Sequence, residues 1–214
     1  TSDWSSDVCS SDLLDNCKDL YKILEWNHEN GFNFFRITSN LFPWCSEYDL
    51  KDMPDYDEIK SILSDVGKYV KDNNMRITSH PGPFNVLTSP HEHVVENCVG
   101  DLKDHGSVFD MMGLSRTPYN KINIHLGGAY GDKESAMDRF CKNFELLPDS
   151  VKTRLTVEND DKASMYSVKE LYYGVYKRIG VPVVLDDQNH EHSEQRTIWP
   201  FEGLQLSQGN FRTI

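Results

Sequence analysis

No uninterrupted apolar run in the 214-residue sequence approaches the roughly 20 residues that a membrane helix needs; the longest are short stretches such as Val181-Pro-Val-Val-Leu185. An integral membrane protein is therefore not expected. Cysteine is sparse and scattered, at Cys9, Cys17, Cys45, Cys98 and Cys141. Without a CxxC pair, neither a zinc knuckle nor a disulfide framework is indicated, and a reducing compartment fits. With 9 prolines and 38% hydrophobic residues, disordered and collagen-like classes are excluded as well. A basic excess is also missing, since 22 Lys+Arg face 34 Asp+Glu for a net charge of −12. That balance argues against a protein that coats nucleic acid by bulk electrostatics, but it allows an enzyme that neutralises its own acids with metal ions. No GxGxxG or P-loop is present; Gly127-Gly-Ala-Tyr-Gly131 lacks the spacing.

The first thirteen residues have no apolar period, no basic start and no apolar core, so they do not read as a signal peptide. Residues 3–13, DWSSDVCSSDL, resemble one reading frame of a common sequencing-library adapter. The expected organisation is a non-native segment over 1–13 and one partial domain over 14–214.

From Leu14 onward helical and extended patterns alternate five times. Leu14, Cys17, Leu20, Ile23 and Leu24 recur at three- and four-residue spacing before Gly31, and residues 32–37 read as a strand. The same pairing recurs for a helix over 56–73 with a strand over 76–79, and for 94–114 with 121–126. It continues for 136–147 with 154–157, and for 168–179 with 181–185. Short strands separated by helices imply right-handed crossovers and a parallel sheet, with a (β/α)8 barrel as the leading architecture. A full barrel needs about 250 residues, so a barrel incomplete at both ends is expected.

The polar residues fall at the C-terminal ends of these strands: Ser39, His80, His125, Glu158 and Asp186. That rim is where β/α barrels carry their active sites. His80, His125, Glu158 and Asp186 lie 45, 33 and 28 residues apart, each at the end of a different strand. Imidazole nitrogens and carboxylate oxygens are ligands for Mn²⁺, Zn²⁺ or Fe²⁺, and four converging groups favour a cluster of ions.

Four segments carry a sharper signal: Phe35-Arg-Ile-Thr-Ser-Asn-Leu-Phe-Pro-Trp44, Ser79-His-Pro-Gly-Pro-Phe-Asn-Val-Leu87, Asn123-Ile-His-Leu-Gly-Gly128 with Gly131-Asp-Lys133, and Thr156-Val-Glu-Asn-Asp-Asp161. In order and spacing they resemble the motifs of the UV damage endonuclease family, over about Leu14 to Asp187. The resemblance implies a barrel related to endonuclease IV that holds a divalent metal cluster, often manganese, and nicks double-stranded DNA immediately 5′ to UV photoproducts. It places His80, His125 and Glu158 on metal ligands, with His125 and Glu158 central to catalysis. Glu47 stands where many members have a histidine. Asp186 matches an acid ending the sixth family strand, but Asn189 replaces the usual histidine three residues later. His190 then serves with Asp186, or it pairs with Asp187; His192 is a weaker candidate. Pro83 replaces a lesion-probing glutamine while Phe84 keeps the aromatic partner, and Arg36 and Lys133 are phosphate-contact candidates.

The implied mechanism is metal-assisted phosphodiester hydrolysis, in which clustered ions generate hydroxide, orient in-line attack and stabilise the leaving 3′ oxygen. A monomer in the cytoplasm, acting on DNA without membrane attachment, is expected. The family's first strand and its last metal-bearing strands lack clear equivalents, Gln205 standing at a family histidine position. Two other readings remain: a metal-dependent sugar isomerase or epimerase on the same barrel, and an inactive truncated fragment.

Overall fold

The structure, a computed structural model, describes residues 7–39, 41–43, 48–160, 162, 164–186 and 212–213, with their side chains from residue 12 through 186. Its elements alternate as the apolar periods require: α1 (Asp7–Glu29), β1 (Phe34–Ile37), α2 (Tyr56–Asp72), β2 (Arg76–Ser79), α3 (Glu92–Met111) and β3 (Ile122–His125) come first. They are followed by α4 (Lys133–Phe144), the short α5 (Asp149–Lys152), β4 (Leu155–Glu158), α6 (Val168–Leu171), a π turn at Tyr172–Tyr176, α7 (Lys177–Ile179), β5 (Val183–Leu185) and β6 (Arg212–Thr213). Strand order is β1-β2-β3-β4-β5-β6. The pairings β1–β2, β2–β3 and β4–β5 are parallel, and β6 runs antiparallel to β5. No helix among the described residues is long and apolar enough to cross a membrane.

The chain divides into two units. The first comprises Thr1–Gly82, Gly100–Ile122 and Pro148–Arg154. Here α1 and α2 lie against each other, with Tyr21 and Tyr69 meeting at 5.4 Å between ring centres, and each helix buries its apolar stripe, Leu13, Cys17, Leu20 and Leu24 on α1 and Ile59, Leu63, Val66 and Val70 on α2. Helix α1 begins seven residues before Leu14, because nothing between Asp7 and Leu13 breaks a helix and Leu13, 1% exposed, extends the apolar stripe. Gly67 permits the close approach of α2 to the end of α3: a Cβ there would sit 1.6 Å from the Met112 carbonyl oxygen. β1 and β2 pair in register from Phe34↔Arg76 to Ile37↔Ser79, and Ser79 pairs Ile122 at the start of β3.

The second unit comprises Pro83–Val99, Asn123–Leu147 and Leu155–Ile214. Its core joins Ile124, Phe140, Phe144, Leu155, Val157, Leu171, Val175, Val183 and Val184. Asp132 caps α4 by accepting from the N–H groups of Glu134 and Ser135 at 3.0 and 3.2 Å, so the Gly-Asp-Lys segment is a helix start. Ser167 and Glu170 form a capping box on α6. Gly127 adopts φ +102° directly after β3, and a Cβ there would lie 2.7 Å from Val86 Cγ1. Only glycine lets the chain turn against that segment.

Candidate metal centre

Side chains on a strand alternate between faces, so Asn123 and His125 share one face of β3 while Thr156 and Glu158 share one face of β4. These four residues form a continuous polar ladder. Thr156 Oγ1 donates to Asn123 Oδ1 at 2.6 Å, and the Asn123 amide donates to Glu158 Oε2. The other carboxylate oxygen, Glu158 Oε1, lies 3.1 Å from His125 Nε2. Beyond the end of β4, Asp160 Oδ1 lies 3.1 Å from His125 Nδ1. The side chains of Glu158 and Asp160 are 5% and 12% exposed, whereas that of His125 is 34% exposed.

Buried carboxylates persist only when paired or metal-bound. The imidazole supplies the compensating charge: the carboxylates of Asp160 and, next, Glu158, each 3.1 Å from a ring nitrogen, raise the His125 pKa from 6.5 to about 10. A divalent cation can take the place of that proton, since imidazole nitrogen and carboxylate oxygen together suit Mn²⁺, Zn²⁺ or Fe²⁺. The donor set and its burial fit such an ion.

The other sequence-selected residues are distributed as follows. Asp186 follows β5, and its N–H donates to Asn159 Oδ1 at 2.9 Å while Asn159 Nδ2 donates back to the Asp186 carbonyl at 3.2 Å. The end of β5 is thereby tied to the residue after Glu158. His80 follows β2 in the first unit, half-buried, with Nδ1 3.1 Å from the Pro81 carbonyl oxygen. Phe84 is 86% exposed. Pro83 beside it and Arg36 on β1 are also exposed. Lys133 is engaged within the second unit: Nζ donates to Glu170 Oε1 at 2.8 Å and to the Met165 carbonyl. Glu47, Asp187, Asn189, His190, His192 and Gln205 lie outside the described residues.

Sequence reasoning missed Asn123, Thr156, Asn159 and Asp160. For the first two the signal was present: each sits two residues before a selected ligand, hence on the same strand face.

Comparison with known proteins identifies the family. The family model described as UV-endonuclease UvdE matches residues 10–200. A UV-damage endonuclease from Schizosaccharomyces pombe (strain 972) is 39% identical over 178 residues, 82% of this chain and 29% of that protein. A UV DNA damage endonuclease from Clostridium perfringens (strain 13) is 35% identical over 185 residues, 86% of this chain and 43% of that one. The chain thus spans less than half the length of either relative. Among solved structures, the crystal structure of SacUVDE superposes with a TM-score of 0.79 at 36% identity, covering 89% of this chain and 64% of that one. A family match over residues 10–200, most of the chain, makes this chain a member of the UV-endonuclease UvdE family.

Proposed function

We propose that this chain carries the metal-binding part of a DNA repair endonuclease that incises duplex DNA 5′ to UV photoproducts, on a sheet belonging to a β/α barrel. The observation that carries this reading is the cluster of the half-buried His125 with the Glu158 and Asp160 carboxylates at the ends of adjacent strands, in a chain of this family. His125 and Glu158 would hold a divalent ion, with manganese the expected one, and His80 is a further ligand that the family resemblance implies. Asp186, Glu47 and His190 would supply further ligands to a cluster.

A bound divalent ion would lower the pKa of a coordinated water and offset charge on the scissile phosphate. The protein's own part is orientation. Asn123 and Thr156 fix the Glu158 carboxylate, and Glu158 and Asp160 fix the two edges of the His125 ring. Water oxygen bonds to phosphorus as the P–O3′ bond breaks; the displaced oxygen takes up a water proton, leaving a 3′-hydroxyl and a 5′-phosphate. No side-chain nucleophile is needed.

Lesion selectivity would come from the exposed Phe84 ring, which can stack on a base that damage has already loosened. Pro83 would stiffen that loop, and Arg36 would contact a phosphate. Lys133 would have to leave Glu170 to do the same. With a net charge of −12, DNA affinity would depend on bound metal and on salt. We infer a monomer that works where DNA is.

The test is incision of UV-irradiated and undamaged duplexes with Mn²⁺ or with chelator, beside His125→Ala. The reading predicts metal-dependent nicks confined to irradiated DNA and lost in the variant. Equal nicking of undamaged DNA, or chelator-resistant nicking, would overturn it, as would turnover of a small aldose or ketose by a chain that never nicks.

A further inference from the structure

The two nitrogens of His125 are divided between two carboxylates, Nε2 at 3.1 Å from Glu158 and Nδ1 at 3.1 Å from Asp160. An imidazole binds an ion through one nitrogen, and the hydrogen bond made by the other nitrogen decides which. Asp160 is well placed to make that decision, because it is itself fixed. Its N–H donates to the Tyr166 carbonyl at 3.1 Å, and its Oδ2 accepts from the Tyr166 N–H at 3.4 Å. Tyr166 is 1% exposed. The neighbouring Met165 carbonyl accepts from Lys133 Nζ, and that ammonium also pairs with Glu170, the partner of Ser167 in the α6 capping box. Lys133 further lies 5.6 Å from the centre of the Tyr166 ring. The far end of the segment after Glu158 is therefore anchored to both α4 and α6.

We propose that Asp160 is the positioning residue of the metal centre: it holds the Nδ1–H of His125, so that Nε2, on the Glu158 side, is the nitrogen offered to the ion. Lys133 serves this arrangement by securing Met165 and Glu170, not by binding a DNA phosphate. The proposal rests on the reading that His125 is a ligand, and the experiment separates the two. Mn²⁺ affinity is measured by calorimetry for the wild type, Asp160→Ala, Asp160→Asn and His125→Ala, with circular dichroism to verify folding. In parallel, long-range ¹⁵N–¹H correlation on Zn²⁺-loaded wild-type protein reads which His125 nitrogen carries the proton, and this needs no variant.

Loss of an outer-shell partner weakens metal binding about 10- to 100-fold, and that loss is expected for Asp160→Ala. Asp160→Asn, whose amide oxygen still accepts from Nδ1–H, retains most of the affinity. His125→Ala loses at least as much as Asp160→Ala, and the spectrum shows a protonated Nδ1. Wild-type affinity in Asp160→Ala beside a loss in His125→Ala would overturn the positioning role alone, as would a metal-bound Nδ1. Wild-type affinity in His125→Ala would overturn the metal centre and the positioning role together.

Discussion

Replacing Arg154 is the sharpest test of what stabilises the first unit. This residue, immediately before the strand that carries Glu158, is 0% exposed. Its guanidinium donates to the carbonyls of Ser115 at 3.0 Å, Leu114 at 2.8 Å, Ser150 at 2.9 Å and Gly106 at 3.4 Å, and to Asp110 Oδ1 at 2.8 Å. The Phe109 ring lies 5.7 Å away. Its backbone carbonyl accepts from the Ile122 N–H at the start of β3. Burial lowers the Arg154 pKa and Asp110 opposes the drop, so the charge is retained by its partners. Breaking a buried pair by removing one partner costs about 3–5 kcal/mol. For a chain of this size each kcal/mol moves Tm by about 2–4 °C, so Arg154→Ala should lower Tm by about 6–20 °C. Asp110→Asn should cost less, because Arg154 keeps its four carbonyl acceptors. Arg154→Met restores apolar volume but leaves those carbonyls without a donor, so it should remain well below the wild type. Thermal unfolding by circular dichroism reads all three. A wild-type Tm for Arg154→Met would refute the claim that the carbonyl network stabilises the fold.

Four further outcomes are expected. Burial alone would raise the Asp110 pKa, but hydrogen bonds from Arg116 and Arg154 bring it below 3.8. A depressed carboxyl stabilises the fold above its unfolded value and loses that contribution as pH falls through the folded one. Denaturant midpoints should therefore drop below about pH 3.8, and Asp110→Asn should flatten that drop. Cys17 is buried and its thiol is pushed up to about 12, so peptide mapping should find it unalkylated at pH 8 until the chain is unfolded. Phe84→Ala should leave Tm unchanged, since the ring is 86% exposed. It should weaken binding to photoproduct DNA by about 1–3 kcal/mol in a competition assay; equal loss on undamaged DNA would contradict a lesion-probing role. Mn²⁺ at 100 times its Kd should raise stability by about 2.7 kcal/mol, and His125→Ala should abolish the shift in a thermal melt.

Much of this architecture is legible in the sequence because β-branched runs and helical spacing alternate cleanly. The strand over 76–79 falls where the pattern places it, the strand bearing His125 is one residue shorter at each end than 121–126, and the strand expected over 154–157 shifts by one residue to end on Glu158. What escaped depends on contacts between distant residues. Lys133 reads as a free cation until the fold brings Glu170, 37 residues away, to its ammonium. Asp160 reads as one acid among several until the loop beyond β4 closes on Tyr166. Arg154 reads as the first residue of a strand, yet it is a buried cation held by groups from three other segments. The π turn at Tyr172–Tyr176 interrupts a helix whose apolar spacing gives no sign of it.

The measurement that bears most directly on the central claim is nucleotide-resolution mapping of incision on a duplex with one site-specific photoproduct. It compares wild-type protein with Glu158→Ala and His125→Ala under Mn²⁺. The account predicts a single nick 5′ to the lesion with a 3′-hydroxyl terminus, absent from both variants and from the undamaged duplex. Incision of equal extent by either variant would show that the His125–Glu158 cluster on β3 and β4 is not the reaction centre.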